Sequence, residues 1–339
     1  MGTRRRSSRL LLAAGSVVLA VACAEAIARA LDPAPTVVVA LRRELLYGRI
    51  DPDLGWSPLP DLDRFRVREV GLEGEVILDY HVSTNSRGLR GRREYAAPRP
   101  PGGRRIVALG DSFTWGQSVE EEETFPARLE ARGVEVPNLG VIGYGPGQML
   151  LRLRRDGLPL EPDVVMLCLI SDDVRRDVEP WNVNGCARPC FSLVDGALAP
   201  PRYPLPPRLP GGTVIPNPHH GLARVLRGAQ SALGLGPRWD LLRATVLEIR
   251  REALAAGARF VVVVLPFLAD PGDRLAQVLG DLGRAHDFQV VDARPAFDAR
   301  PDKASLFIID GHPDAAGHAL IADEIARQAP WLLEATPGR

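Results

Sequence analysis

The stretch RRIVALGDSFT, residues Arg104–Thr114, carries the strongest structural signal in this chain. Its apolar part, Ile106–Leu109, is a short run that glycine ends, which predicts a buried strand. Ser112 follows at once, at the carboxyl edge of the sheet, where open α/β folds bind ligands. Near the other end of the chain, the sequence DGHP at Asp310–Pro313 supplies a carboxylate and an imidazole. The two segments together offer a nucleophile, a base and an orienting carboxylate.

Apolar runs alternate with helical periods from Arg104 onward. Strands are predicted at Ile106–Leu109, Val134–Asn138, Val164–Ile170, Arg259–Leu265 and Gln289–Asp292. Helices are predicted at Phe125–Arg132, Gln148–Asp156, Leu241–Ala256, Arg274–His286 and Ala315–Gln328. The strand runs do not alternate with polar residues, so both faces of the sheet should be covered by helices. The pattern predicts an α/β fold of three layers, with a doubly wound, flavodoxin-like parallel sheet of about five strands.

Two regions depart from this pattern. Residues 32–103 contain apolar-polar alternation and many turn residues, which predicts a small β-rich extension before the core domain at 104–339. Residues 175–239 form an insertion rich in proline and glycine, with a hairpin predicted around Asp195-Gly196. A long insertion beside a candidate site is either a lid or a surface decoration. Its Cys186 and Cys190 could form a disulfide in an oxidising compartment, and no metal site is predicted there because further ligands are missing.

The N-terminal segment, residues 1–31, predicts export. Four arginines at positions 4, 5, 6 and 9 precede an apolar run over residues 10–24. That pattern fits a membrane anchor, a cleaved signal peptide, or a lipoprotein signal cut before Cys23. We expect an anchored protein that faces the periplasm or the cell exterior, with secretion after cleavage as the alternative. The 42 basic and 42 acidic side chains balance, so no net field favours nucleic acid as a partner.

Four chemically interesting segments follow predicted strands or precede the last helix. They carry Ser112, Gly143, Asp172, and the pair Asp310 and His312. In a parallel sheet, such loops gather at one edge. Serine needs a base to become a good nucleophile, imidazole titrates near neutral pH, and a carboxylate can fix the imidazole tautomer. An ester carbonyl under attack becomes an oxyanion, which backbone N–H groups can stabilise.

These segments, in this order, resemble the sequence blocks of the SGNH (GDSL-type) hydrolases. The resemblance implies Ser112 as nucleophile, His312 as base and Asp310 as its orienting carboxylate. It also implies an oxyanion hole from Ser112, Gly143 and the residue at position 172. The segment Asn85–Gly91 further resembles the membrane-anchored bacterial members, which carry an extra N-terminal segment.

The chain departs from the family pattern in two of these segments. The family places asparagine where this chain has Asp172, and it has one more residue between the aspartate and the histidine of the last block. An ionised Asp172 has no proton to donate to an oxyanion. Three explanations stay open: a protonated Asp172 beside Asp173, a slow enzyme that uses the backbone donors alone, or loss of hydrolysis with binding retained.

The resulting prediction is a serine ester hydrolase, an acylesterase or deacetylase, without a metal or organic cofactor. Its substrate would be an ester-bearing lipid or an acylated glycan. The alternatives are an O-acyltransferase to a glycan and a non-catalytic cell-envelope binding protein. A simpler interpretation gives Ser112 only the role of a helix N-cap. His318 is expected on the surface of the last helix, without a role.

Overall fold

A computed structural model describes residues 16, 20–24, 47–70, 76–97, 99, 103–182, 185–205, 237–268, 274–308 and 311–334. Over these ranges, no helix is both long enough and apolar enough to span a bilayer. Residues 16 and 20–24 are helical, and the rest of segment 1–31 lies outside the described residues. The anchor, the signal peptide and the lipoprotein signal therefore stay predictions.

Two antiparallel hairpins precede the core. The first pairs β1 (Gly48–Asp51) with β2 (Gly55–Pro58), and the second pairs β3 (Phe65–Val70) with β4 (Val76–Val82). Along β4, the buried side chains of Leu78, Tyr80 and Val82 alternate with more exposed ones. They pack with Trp115 of the core domain, so the β-rich extension is docked on the core.

The remaining strands are β5 (Ile106–Leu109), β6 (Val164–Leu169), β7 (Ser192–Val194), β8 (Ala197–Ala199), β9 (Arg259–Val264) and β10 (Gln289–Asp292). Four of them form a parallel sheet in the order β10-β9-β6-β5. The other two, β7 and β8, form the hairpin predicted in the insertion. Its turn residues Asp195 and Gly196 have φ values of 52° and 78°, as a type I′ turn requires.

Among the described residues the parallel sheet has four strands, and the prediction of a fifth at Val134–Asn138 is wrong. That segment runs along the free edge of β5 but joins it only through two isolated parallel bridges. Pro137 lies within the segment and has no N–H to donate, which interrupts the ladder. With the segment 134–138 counted at the edge, the order along the sheet is 134–138, β5, β6, β9 and β10. In chain order this is 2-1-3-4-5, the flavodoxin-like winding. The winding reverses between β5 and β6, so the loops after these two strands flank the crevice.

Helices cover both faces of the sheet. The described helices are α1 (Ser112–Trp115), α2 (Phe125–Glu130), α3 (Pro146–Arg152), α4 (Asp173–Arg176), α5 (Pro237–Ala255), α6 (Arg274–His286), α7 (Arg294–Asp298) and α8 (Ala315–Gln328). Shorter turns occupy Glu121–Glu123, Leu153–Gly157, Leu158–Leu160, Lys303–Leu306 and Pro330–Leu332. Apolar residues of α3, α5 and α6 pack in one core cluster, and those of α2, α7 and α8 pack in another. Alternate residues of β5, β6 and β9 enter the two clusters, which confirms the predicted three layers.

Candidate active site

The turn after β5 presents Ser112 at the carboxyl edge of the sheet. A Cβ atom on Gly110 would lie 2.0 Å from Thr114 Oγ1, so only glycine allows α1 to approach the strand this closely. Asp111 caps α1, because its Oδ1 accepts the N–H of Phe113 at 2.9 Å. Ser112 is thus the first helical residue rather than the N-cap, and its hydroxyl is not used for capping. The side chain is 4 % exposed.

His312 meets Ser112 from the other end of the chain. Its Nε2 lies 2.8 Å from Ser112 Oγ, across 200 residues of sequence. A tight turn holds the histidine, since the N–H of Ile308 donates to the His312 carbonyl at 2.9 Å and Gly311 has φ +85°. The imidazole also packs on the ring of Phe113, with centroids 4.4 Å apart. Asp310 lies outside the described residues, so its orienting role stays a prediction.

The backbone N–H groups of Ser112 and Gly143 make no hydrogen bond to an acceptor among the described residues. They are the two backbone donors that the sequence predicts for an oxyanion. Gly143 has φ +76°, a conformation that favours glycine, within a turn closed by Tyr144 N–H donating to the Val141 carbonyl at 3.1 Å. Their oxyanion role stays a prediction, but both donors are available.

The half-buried guanidinium of Arg176 links three parts of the site. Arg176 Nη1 lies 2.6 Å from Asp111 Oδ2, 3.0 Å from Asp173 Oδ1 and 3.2 Å from the Tyr144 carbonyl oxygen. The side chains of Asp111 and Asp173 are 1 % and 0 % exposed. Burial raises the pKa of Asp173, and the charge of Asp111 raises it further, well above the ordinary value. Asp111 and Asp173 therefore share one cation, the guanidinium of Arg176, in a region from which water is largely excluded.

Arg176 was not among the predicted site residues. The only sequence signal for it is its position one helical turn after Asp173, which brings the two side chains to the same face of α4. Its contact with Asp111 depends on the fold.

A known protein family matches this chain in sequence. The family model of the GDSL-like lipases and acylhydrolases matches residues 108–320, more than half of the chain. The chain belongs to the GDSL-like lipase/acylhydrolase family. Membership in this family supports ester hydrolysis as the class of reaction. No curated protein is significantly similar to the chain in sequence.

Solved structures with similar architecture include several hydrolases. The lipase/acylhydrolase from Enterococcus faecalis is 18% identical, with 70% of this chain and 99% of that chain covered and a TM-score of 0.42. LAE5, an alpha/beta hydrolase enzyme from the metagenome of Lake Arreo, is 17% identical, with 69% and 98% covered and a TM-score of 0.44. A catalytic mutant of Axe2, an acetylxylan esterase from Geobacillus stearothermophilus, is 15% identical, with 68% and 95% covered and a TM-score of 0.42.

Asp172 stands where the SGNH (GDSL-type) pattern has asparagine. Its carboxylate accepts two bonds of 2.9 Å from Arg175 and lies 3.1 Å from Arg176 Nε. Burial would raise the pKa of Asp172, but Arg176 and the hydrogen bonds from Arg175 bring it below the ordinary value. The carboxylate is therefore ionised near neutral pH. Its predicted oxyanion role stays a prediction, and these ion pairs argue against a proton on Asp172.

His318 is fully buried, so the expectation that it lies on the surface of α8 is wrong. Its Nδ1 accepts the N–H of Phe125 at 3.2 Å, and the two rings stack with centroids 5.9 Å apart. Burial and the nearby His312 lower its pKa to about 3. His318 is a neutral packing residue that satisfies the N-terminus of α2.

The insertion reaches the site through its described residues. Cys186 is buried and Cys190 half-buried, and the structure does not join the two by the disulfide that the sequence left open. Arg188 lies between the two cysteines in sequence and donates from Nη2 to the Gly143 carbonyl at 2.9 Å. Residues 206–236 lie outside the described residues, so the predicted lid stays a prediction. Over the described ranges, no group of three or more His, Cys, Asp or Glu side chains is arranged to hold a metal ion.

Proposed function

We propose that this protein is a serine ester hydrolase that acts through an acyl-enzyme. The observation that carries the proposal is the 2.8 Å contact between His312 Nε2 and Ser112 Oγ. That distance lies within the range over which a general base removes a proton. Family membership supports the same class of reaction.

The proposed reaction has two steps. Ser112 Oγ attacks the ester carbonyl carbon while His312 takes the hydroxyl proton, and the carbonyl oxygen becomes an oxyanion held by the N–H groups of Ser112 and Gly143. The intermediate collapses, the ester C–O bond breaks, and the leaving alcohol takes the proton from His312. Water then attacks the acyl-enzyme and gives a proton to His312, which returns it to Ser112 as the carboxylic acid leaves. Asp310 is proposed to orient the imidazole.

Asp172 sets an expectation for the rate. Its carboxylate has no proton to donate, so the proposed oxyanion hole consists of two backbone donors. The loss of one donor costs about 2.7–4 kcal/mol of transition-state stabilisation, or roughly 10²–10³ in kcat. We therefore expect a slow esterase. The same substitution favours the second candidate, a protein that binds acylated molecules without hydrolysing them.

The proposed substrate is an ester-bearing lipid or an acylated glycan outside the cytoplasm. The support for this location is the arginine cluster before the apolar run at residues 10–24. We propose that this segment anchors the chain to a membrane. The full chain should then sediment with membranes, and removal of residues 1–31 should release it; a full chain found entirely in the soluble fraction would contradict anchoring.

Hydrolysis of a simple acetyl ester tests the proposed function. We expect turnover by the wild type and a loss of at least 10³-fold in Ser112→Ala, because the nucleophile is removed. Ser305→Ala is the matched control, since Ser305 is exposed and its hydroxyl bonds to Asp302 in a local turn. Equal activity of wild type and Ser112→Ala would reject Ser112 as nucleophile. A folded wild type that binds the ester without turnover would favour the binding protein.

A further inference from the structure

Two side chains from outside the central sheet hold the carbonyl groups on either side of Gly143. The indole Nε1–H of Trp56, in β2 of the extension, donates to the Ile142 carbonyl at 2.9 Å. Arg188, in the insertion, donates from Nη2 to the Gly143 carbonyl at 2.9 Å. Trp56 is 1 % exposed and Arg188 is 6 % exposed, so water does not compete for these carbonyls.

The first of these bonds fixes an N–H group as well as a carbonyl. A peptide unit is planar and trans, so its C=O and N–H point in opposite directions. The Ile142 carbonyl and the Gly143 N–H belong to the same peptide unit. While Trp56 holds the carbonyl, the N–H must point to the other side. A flipped peptide would break this bond, leave the buried indole N–H without its acceptor, and turn the Gly143 N–H away from its present direction.

Trp56 is itself held by the residue that follows Gly143. The hydroxyl of Tyr144 donates to the Trp56 carbonyl at 2.6 Å, and the two rings meet edge to face with centroids 5.5 Å apart. The guanidinium of Arg188 lies 5.6 Å from the centroid of the Trp56 ring. The glycine turn and the first hairpin thus form a closed set of contacts, in which the residues before and after Gly143 both bond to Trp56.

We infer that Trp56 is a positioning residue that directs the Gly143 N–H into the oxyanion hole. The N-terminal extension would then complete the active site of the core domain, instead of serving only as a spacer. The inference rests on the proposed function, because it assigns a use to the oxyanion donor of that reaction. It adds that a residue of the extension, about 90 positions away in sequence, controls the transition state.

The variant Trp56→Phe tests the inference, because it keeps an aromatic ring and removes the N–H. We expect kcat for an acetyl ester to fall by roughly 10–100-fold while KM changes less than about twofold, since the bond acts on the oxyanion and not on the ground state. The affinity for an aryl trifluoromethyl ketone, which forms a tetrahedral oxyanion on the serine, should fall by a similar factor. A role in packing alone would not make these two quantities change together.

Trp331→Phe is the matched control. Trp331 donates its Nε1–H to the Gln289 side chain at 2.6 Å, at the amino-terminal edge of the sheet, away from Ser112. The control variant should keep the wild-type kcat. If Trp56→Phe fails to fold, Tyr144→Phe takes its place, because it removes only the hydroxyl that holds the Trp56 carbonyl, and a smaller loss of kcat is expected.

The outcomes separate the inference from the proposed function. If the wild type is active and a folded Trp56→Phe has the same kcat, the role of Trp56 is overturned and the esterase proposal stands. If Trp56→Phe does not fold, a Tyr144→Phe with the wild-type kcat has the same meaning. A folded wild type with neither esterase activity nor ketone binding overturns both.

Discussion

Replacement of Arg176 by glutamine should destabilise the protein far more than the same change at its neighbour. Arg176 is 14 % exposed and is the cation that faces the buried Asp111 at 2.6 Å. Its removal leaves that carboxylate, 1 % exposed, without a charged partner among the contacts described. Loss of one partner from a buried ion pair typically costs about 3–5 kcal/mol. For a domain of this size, we expect a fall in Tm on the order of 10 °C.

Arg175→Gln is the control for this prediction. Arg175 precedes Arg176 on the same helix and also pairs with Asp172, but its side chain is 46 % exposed. Exposed ion pairs contribute about 0–1 kcal/mol, so this variant should remain close to wild type. Urea unfolding of the three proteins measures the difference, with the m-value checked for constancy. Equal stability losses in the two variants would refute the argument that burial makes the Arg176 pair important.

Two further predictions concern residues near the site. Burial raises the pKa of Asp177 to about 7, while the unfolded value is near 3.8, so the native state keeps a proton that the unfolded state has lost between about pH 4 and 7. The free energy of unfolding should therefore fall as pH rises through that window, by up to roughly 1.4 kcal/mol per pH unit. Asp177→Asn should flatten this slope, measured by urea unfolding at several pH values. Asp63→Asn is the control and should not flatten it, because the Asp63 side chain is 80 % exposed. Gly143 and Gly196 have φ values of 76° and 78°, which alanine adopts only with strain. Gly143→Ala and Gly196→Ala should therefore each lower the free energy of unfolding by about 1–2 kcal/mol. Only the change at Gly143 should also lower kcat, and equal kcat in these two glycine variants would argue against an oxyanion role for that turn.

Local patterns in the sequence predicted most of the architecture. The apolar runs and the glycine that ends the first of them located β5, β6, β9 and β10, and the bounds of α6 and α8 agree with those predicted. The Ser112 and His312 segments could be assigned to one sheet edge because parallel strands bring their following loops together. The observed contact between these two residues agrees with that reasoning.

The differences arise where an outcome depends on distant parts of the chain. The run at 134–138 has the composition of a strand, but Pro137 and its place at the edge reduce its pairing to isolated bridges. The sequence predicts His318 as an exposed helical residue, but Phe125 of another helix stacks on its ring. The contacts of Arg176 with Asp111, and of Trp56 with the carbonyl before Gly143, join segments that only the tertiary structure brings together. Sequence spacing therefore predicts that the Ser112 and His312 segments meet, but not which residues hold them in place.

Covalent labelling by a fluorophosphonate, followed by intact mass measurement and peptide mapping, tests whether Ser112 is the nucleophile. We expect one adduct, on Ser112, because His312, the proposed base, lies 2.8 Å from that hydroxyl. Labelling should disappear in Ser112→Ala and slow markedly in His312→Ala. A folded wild type that takes up no label, or one that carries the label on a different serine, would rule out Ser112 as the nucleophile.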